Sequence, residues 1–320
     1  MYIGRYAPSP TGPLHFGSLV AAVASYTDAR AANGRWLLRI EDVDATRCSR
    51  AAETEILRQL AAFGFVADGE VFRQRERGEI YEAAITQLAD AGQVFACTCS
   101  RKMLEGSPRN AEGEAIYPGT CRDSDVVASA HSLRLRVSDT RDSRLEFVDR
   151  AVGRTEQNVA SDVGDFVLKR ADGCYAYQLA VVVDDALQGI TDIVRGEDLL
   201  MNTPRQVYLQ RLLNVATPTY LHVPLVRNAD GEKLSKQTLA QAIRTDAPVV
   251  MLRAAWAFLK QADLGQPESV DAFWNAAIAA WNPRTLQAQN SAPVGAAKGT
   301  HSGATPLETS PFTAKSIIEG

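Results

Sequence analysis

One stretch near the N-terminus constrains this chain most: Ile3-Gly-Arg-Tyr-Ala-Pro-Ser-Pro-Thr-Gly-Pro-Leu-His-Phe-Gly17. A short apolar run (Tyr2, Ile3, Tyr6) ends at Pro8, and a turn rich in Pro, Ser, Thr and Gly follows. An Ala-rich segment from Ser18 to Ala32 then reads as a helix. Strand, tight turn and helix in that order set a helix N-terminus at the carboxyl end of the first strand of an α/β sheet, where ligands bind. Unpaired N–H groups and the helix dipole favour anions such as phosphate there. His15 falls at that helix start, and Gly17 leaves room for a planar group to approach.

The rest of the chain bounds what such a unit can serve. With 320 residues, 46% of them apolar, a core can be buried in one large or two modest domains. No apolar run approaches the ~20 residues needed to span a bilayer, and no signal peptide opens the chain. Five cysteines are too few and too scattered for a disulfide scaffold, so a reduced, cytoplasmic setting is expected. The net charge of −4 announces no nucleic-acid binder, so any RNA contact must come from a local patch.

Trp36 to Ile40 reads as the second strand, delivering Glu41, Asp42 and Asp44 at its end, either to bind an amino group or a cation or as a solvated turn. Helices are expected over Ser49–Phe63 and Glu79–Ala91, each closed by a glycine, with a strand at Val94–Cys97 completing a βαβ-type half. Cys97 and Cys99, with Cys121 beyond, suggest either a metal site or two inert buried thiols and a coincidence, since Cys-x-Cys is not the usual zinc spacing. Leu133–Val137 and Leu145–Val148 alternate as strands. The apolar run from Tyr175 ends in Asp184 and Asp185 and suggests a buried element running into the site, with Tyr177 and the two acids as functional candidates. Thr203-Pro204 reads as a helix start, Tyr220–Val226 as the last strand, and residues from Pro248 on as helices. From about Asn282 the composition shifts to Ala, Gly, Ser, Thr and Pro, too poor in apolar surface to offset about 1–2 kcal/mol per residue of ordering entropy.

His15-Phe-Gly-Ser18 resembles the His-Ile-Gly-His box of the class I aminoacyl-tRNA synthetases, with Ser18 in place of the second histidine. The lead-in Arg5–Gly12, the run Arg39-Ile-Glu-Asp-Val-Asp44 and the run Val194-Arg-Gly-Glu-Asp198 are similar to the glutamyl branch of that family. Asp230-Gly-Glu-Lys-Leu-Ser-Lys-Gln237 is similar to its Lys-Met-Ser-Lys-Ser loop, whose lysines neutralise triphosphate charge. The resemblance covers roughly residues 2–282. It implies an α/β fold: a Rossmann-like parallel sheet split between residues 1–92 and 166–240, with a small inserted zinc-bearing, tRNA-facing domain at 93–165. A short helical segment at 241–283 and a disordered tail at 284–320 are expected to follow.

By that resemblance Arg5 and Arg195 hold the γ-carboxylate of glutamate, Glu41 its ammonium, Tyr177 hydrogen-bonds nearby, and Ser9 lies on the backbone side of the pocket. His15 and Lys236 are the expected catalytic groups, and His15, Gly17, Lys233 and Lys236 the expected contacts of ATP with its Mg2+. Members truncated after the lysine loop, the glutamyl-queuosine tRNA(Asp) synthetases, carry a structural zinc on three cysteines and a tyrosine, which implies Cys97, Cys99, Tyr117 and Cys121 here. Residues 238–283 are too few for the helical anticodon-binding domains of the long glutamyl enzymes, so the truncated branch is the expectation. The implied partners are ATP, L-glutamate and tRNA(Asp) bearing queuosine, with no membrane and a monomeric protein. A short glutamyl-tRNA synthetase charging a tRNA 3′ end and a synthetase-like binding protein without transfer activity are the alternatives.

Overall fold

The computed structural model describes residues 1–111, 113–124, 131–227 and 242–287. Its larger sheet has seven strands: β1 (Ile3–Tyr6), β2 (Arg35–Ile40), β3 (Phe72–Arg73), β6 (Arg144–Asp149), β7 (Gly153–Asn158), β9 (Asp192–Gly196) and β10 (Thr219–Val223). They lie in the order β3-β2-β1-β9-β10-β6-β7, parallel throughout except for the edge hairpin β6–β7. From β1 the chain winds outward to β2 and β3, then returns to the other side of β1 with β9 and β10. That reversal between β1 and β9 opens a crevice at the carboxyl ends of the strands.

Helices cover the sheet: α1 (Phe16–Ala31), α2 (Arg50–Ala62), α3 (Gly78–Asp90), α4 (Val159–Asp162), α5 (Tyr177–Leu187), α6 (Thr203–Leu212), α7 (Pro248–Phe258) and α8 (Val270–Ala280). Helix α1 is buried from Leu19 to Ala29 except at Ala21, because β1 and β9 pack on one side of it and α7 and α8 on the other. A helix apolar on nearly every side has no solvent face to offer, so its composition follows from its place. Serines cap its neighbours: Ser49 Oγ accepts the Ala52 N–H at 3.1 Å, and Ser269 Oγ accepts that of Ala272 at 3.1 Å.

A second sheet of three antiparallel strands, β4 (Val94–Cys97), β5 (Ser132–Leu135) and β8 (Val167–Lys169), carries the cysteine loop. The insertion is thus drawn differently from the expected 93–165. Strands β6 and β7 return to the edge of the large sheet, whereas β8, expected to open the second half, joins the small one. In β6, Leu145 and Phe147 are buried between exposed Arg144, Glu146 and Val148, an alternation that identifies a strand without identifying its partner. Strand β4 likewise leaves the first half for the small sheet. The apolar run after Tyr175 is helix α5, its acids near the C-terminal end.

The C-terminal helices are sealed onto the first half. Trp274 donates its indole N–H to the Phe63 carbonyl at 2.9 Å and packs edge-on against Tyr26 at 4.7 Å. Gly64, at φ 73°, lets them close: a Cβ there would meet Val270 at 2.5 Å. Order continues past the expected boundary at 284, since a 3-10 turn at Pro283–Leu286 puts Leu286 fully inside the core. The rest of the expected tail, 288–320, lies outside the described residues. No helix among the described residues is long and apolar enough to cross a membrane. Leu286→Ala should destabilise the protein by about 2–5 kcal/mol, measured by urea unfolding. An unchanged midpoint would show this turn to be detachable.

Candidate active site

The ends of β1, β2, β9 and β10 and the first turns of α1 and α5 surround a cleft of about 1290 Å3. Arg5, Ser9, His15, Gly17, Glu41, Tyr177 and Arg195 all line it, so the structure brings these candidates into one site. Lys233 and Lys236 lie outside the described residues.

Buried charges lie at and behind its inner end. Asp185 accepts hydrogen bonds from Arg5 Nε at 3.1 Å and from Arg39 at 2.7 Å, and Arg39 also reaches Glu41 at 3.5 Å and Gln188 at 2.5 Å. Burial raises the Asp185 carboxyl's pKa, but Arg39 and Arg5 outweigh it and hold it below the ordinary carboxylate value. For Glu41 burial prevails over the same two cations, and its pKa is raised. A ligand ammonium beside Glu41 would restore the balance in favour of the carboxylate. The neighbouring acids have other duties. Asp42 is tied to Arg75, and Asp44 accepts from Arg170 at 2.8 Å and from the Thr46 hydroxyl at 2.6 Å. Asp184 is held by Gln74, Arg77 and Tyr81 beneath the site.

Arg195, near the carboxyl end of β9, differs from Arg5 in its company. Its donors go to His222 Nε2 (3.0 Å), Gln206 Oε1 (2.9 Å), Thr203 Oγ1 (2.8 Å), the Leu199 carbonyl (3.2 Å) and the Tyr177 hydroxyl (3.5 Å). No carboxylate forms an ion pair with it among the described residues. A buried guanidinium held by neutral acceptors keeps its full charge for an incoming anion.

His15 caps α1, its Nδ1 accepting the Ser18 N–H at 3.3 Å. Gly17 sits close under that ring: a Cβ at 17 would meet His15 Cε1 at 3.2 Å and Nδ1 at 3.3 Å and press on the imidazole. Ser9 is exposed at the mouth, and its carbonyl accepts the Thr11 N–H at 2.9 Å.

At the rim the sulfurs of Cys97, Cys99 and Cys121 lie within 4.8 Å of one another, and together they can hold a metal ion. The Tyr117 hydroxyl stands 3.3 Å from Cys97 Sγ and 3.8 Å from Cys99 Sγ, and Cys99 Sγ stands 3.6 Å from Cys121 Sγ. Burial raises the Cys121 thiol, but hydrogen bonds from Thr98, Tyr117 and Cys99 outweigh it and bring it down to about 6.

Residues 3–249 match the family described as tRNA synthetases class I (E and Q), catalytic domain. The glutamyl-Q tRNA(Asp) synthetase of Thiobacillus denitrificans is 58% identical over 244 residues, which are 75% of this chain and 79% of that one. That of Verminephrobacter eiseniae is 52% identical over 290 residues, 89% of this chain and 98% of that one. The chain belongs to the glutamyl-Q tRNA(Asp) synthetase family. The glutamate-tRNA synthetase of Elizabethkingia anophelis shares the fold, with a TM-score of 0.71 at 23% identity over 88% of this chain. A glutamate tRNA ligase from Elizabethkingia meningosepticum gives 0.70, also at 23%. This chain spans 66% and 65% of those two solved chains.

Within this member of the glutamyl-Q family, sequence reasoning named Asp185 as a candidate without its partners and missed the roles of the other residues behind the cleft. Arg39 and Asp185 sit at the ends of apolar runs, and a charge fully buried by its neighbours leaves no periodic signal. His222 interrupts the apolar strand β10, and that polar residue inside a buried run was an available clue; Asp149, at the end of the alternating strand β6, offered none. The cysteine cluster yields a prediction. Purified protein should carry about one transition-metal ion per chain by elemental analysis, and Cys99→Ser should lose it. Metal retained by Tyr117→Phe would remove the tyrosine alone from the ligand set, whereas no stoichiometric metal would remove the site.

Proposed function

We propose that this protein activates glutamate with ATP, without needing tRNA for that step, and passes the glutamyl group to the queuosine base of tRNA(Asp). The observation that carries this reading is Arg195, a buried cation on the cleft wall with neutral partners, suited to a substrate carboxylate. Arg5 adds charge from β1, although Asp185 already shares it. Glu41 takes the ammonium beside Tyr177, and Ser9 bounds the pocket at its mouth. With both ends of the amino acid fixed, an α-carboxylate oxygen attacks the α-phosphorus of ATP. The bond to the pyrophosphate oxygen breaks, and glutamyl-AMP remains. Positioning and charge neutralisation supply the acceleration, with no covalent enzyme intermediate.

His15 at the start of α1, with Gly17 keeping its ring clear, serves the phosphates. Lys236, assisted by Lys233, takes the developing charge, and Mg2+ accompanying ATP lowers the repulsion among its oxygens. A hydroxyl of the queuosine cyclopentene diol then attacks the activated carbonyl and releases AMP, forming an ester.

The metal in this reading is zinc on Cys97, Cys99, Tyr117 and Cys121. A tetrahedral zinc with bonds of about 2.3 Å to sulfur and 2.0 Å to oxygen keeps sulfurs about 3.8 Å apart and oxygen about 3.5 Å from sulfur. The donor spacings of 3.6, 3.3 and 3.8 Å fit. With four protein ligands the ion is structural and has no position for water. The protein is read as a cytoplasmic monomer.

Glutamate-dependent ATP–pyrophosphate exchange should appear in the absence of tRNA. Arg195→Ala should weaken glutamate use several hundred-fold, following the roughly 3–5 kcal/mol cost of an unpaired buried charge, with ATP affinity little changed. Arg5→Ala should lose less, because Arg39 still pairs Asp185. An equal loss for both substrates would assign these arginines to the fold. A queuosine-bearing anticodon stem-loop of tRNA(Asp) should accept labelled glutamate and an acceptor-stem minihelix should not. The reverse result would identify a short glutamyl-tRNA synthetase.

A further inference from the structure

We infer that His222, oriented by Asp149, is the positioning residue that keeps Arg195 both aimed and uncompensated, and thereby sets the preference for an acidic over a neutral amide side chain. This rests on the reading of Arg195 as receptor of the substrate side-chain carboxylate.

Three neighbouring strands put the groups in a row. Arg195 on β9 is directly opposite His222 on β10, and Tyr220 on β10 is opposite Asp149 on β6. His222 Nδ1 lies 2.6 Å from Asp149 Oδ2, both side chains fully buried, and Arg195 Nε lies 3.0 Å from His222 Nε2. A guanidinium N–H can only donate, so Nε2 must offer its lone pair. The proton therefore resides on Nδ1 and is donated to Asp149, which fixes the tautomer. Asp149 is itself anchored by the N–H groups of Ala151 and Val152, each at 2.9 Å, and by that of His222 at 3.1 Å.

The consequence for Arg195 is electrostatic. A carboxylate in place of the imidazole would satisfy Nε equally well but would cancel the charge, as Asp185 partly does for Arg5. A neutral imidazole satisfies Nε and leaves the charge in place. Together with Gln206 and Thr203, neither of which lines the cleft, it holds the rear of the guanidinium. The longest of the contacts, NH1 to the Tyr177 hydroxyl at 3.5 Å, involves two residues that both face the cleft. That is the edge left for a ligand oxygen. An amide side chain presents no charge to this cation, so discrimination depends on the cation remaining unpaired and aimed.

The test uses the full chain in glutamate-dependent ATP–pyrophosphate exchange, with glutamine as competing substrate. His222→Phe leaves the Nε donor without its acceptor, and a hydrogen bond to a charged group sets the scale of the loss. It should raise the glutamate KM about 10- to 100-fold, lower the glutamate-over-glutamine ratio by a similar factor, and leave the ATP KM within about twofold. His222→Gln, whose side-chain oxygen can take the same proton, should recover most of both losses. Should His222→Phe not fold, His222→Asn, polar but a methylene too short, replaces it with the same expectation. An unchanged glutamate KM and ratio would overturn the inference. So would equal losses for Phe and Gln in both substrates, the mark of a merely structural residue. If Arg195→Ala also leaves glutamate KM unchanged, the reading of the pocket has failed; if Arg195→Ala is impaired and His222→Phe is silent, only the role of His222 has.

Discussion

The site depends on a carboxylate shared between two arginines. Asp185, near the end of α5, accepts from Arg5 on β1 and Arg39 on β2, and all three side chains are almost completely buried. Separately each would be costly to bury, and removing one partner from such a group is worth several kcal/mol. Together they tie two adjacent strands to the helix that crosses above them. The ends of β1 and β2 therefore cannot move apart without exposing unpaired charge, and the ends of those strands form the cleft. Glu41 inherits its position from the same cluster, because it follows β2 directly and contacts Arg39.

Much of the architecture was legible from local pattern. The helix after Gly17, the strand ending at Ile40 and the cap at Ser49 each announce themselves by turn residues and spacing, and the structure places them within a residue or two. Strand partners were another matter. Nothing in the alternation of Leu145 and Phe147 says whether β6 pairs inside the insertion or along β10, since both would bury the same face. The run Leu179–Val183 was unreadable for the opposite reason: buried on all sides, it has no periodicity by which to tell a helix from a strand. Leu286 escaped because one apolar residue in a polar stretch carries little weight, yet its neighbours are held in place. Gln261 donates to the Asn282 carbonyl at 3.1 Å and to Thr285 Oγ1 at 2.5 Å.

In the site, single residues were found and their pairing was not: Asp185 was a candidate and Arg39 stood in a motif, but not their contact. Arg5, Glu41 and Arg195 belong to short stretches with a recognisable order of types. Their partners are scattered through the chain, with Arg39 meeting Asp185 across nearly half its length. Three-dimensional pairing of that kind is invisible in one sequence. It also changes the weight of the residues that were recognised. Arg5 and Arg195 look equivalent as arginines, but one is ion-paired and the other rests on neutral acceptors. Only the second has an undivided charge to offer.

The small sheet raises a stability question on which the cysteine cluster bears. Among the described residues, its apolar cluster at the loop comprises the buried Phe95, Cys97, Tyr117 and Cys121, with Cys99 and Leu104 against them, while Leu135 and Leu168 of the same sheet join a larger core. So small a loop cluster supplies little hydrophobic free energy, and such modules commonly rely on a metal or disulfides. Part of the remaining order comes from Arg134 on β5, whose guanidinium lies 4.0 Å from the centre of the Tyr117 ring while NH1 donates to the Asp165 carbonyl at 2.9 Å. Arg134, Cys99, Arg101 and Leu104 also line the cleft. A metal held by the cysteine trio would therefore stiffen one wall of the cleft without touching the reacting atoms.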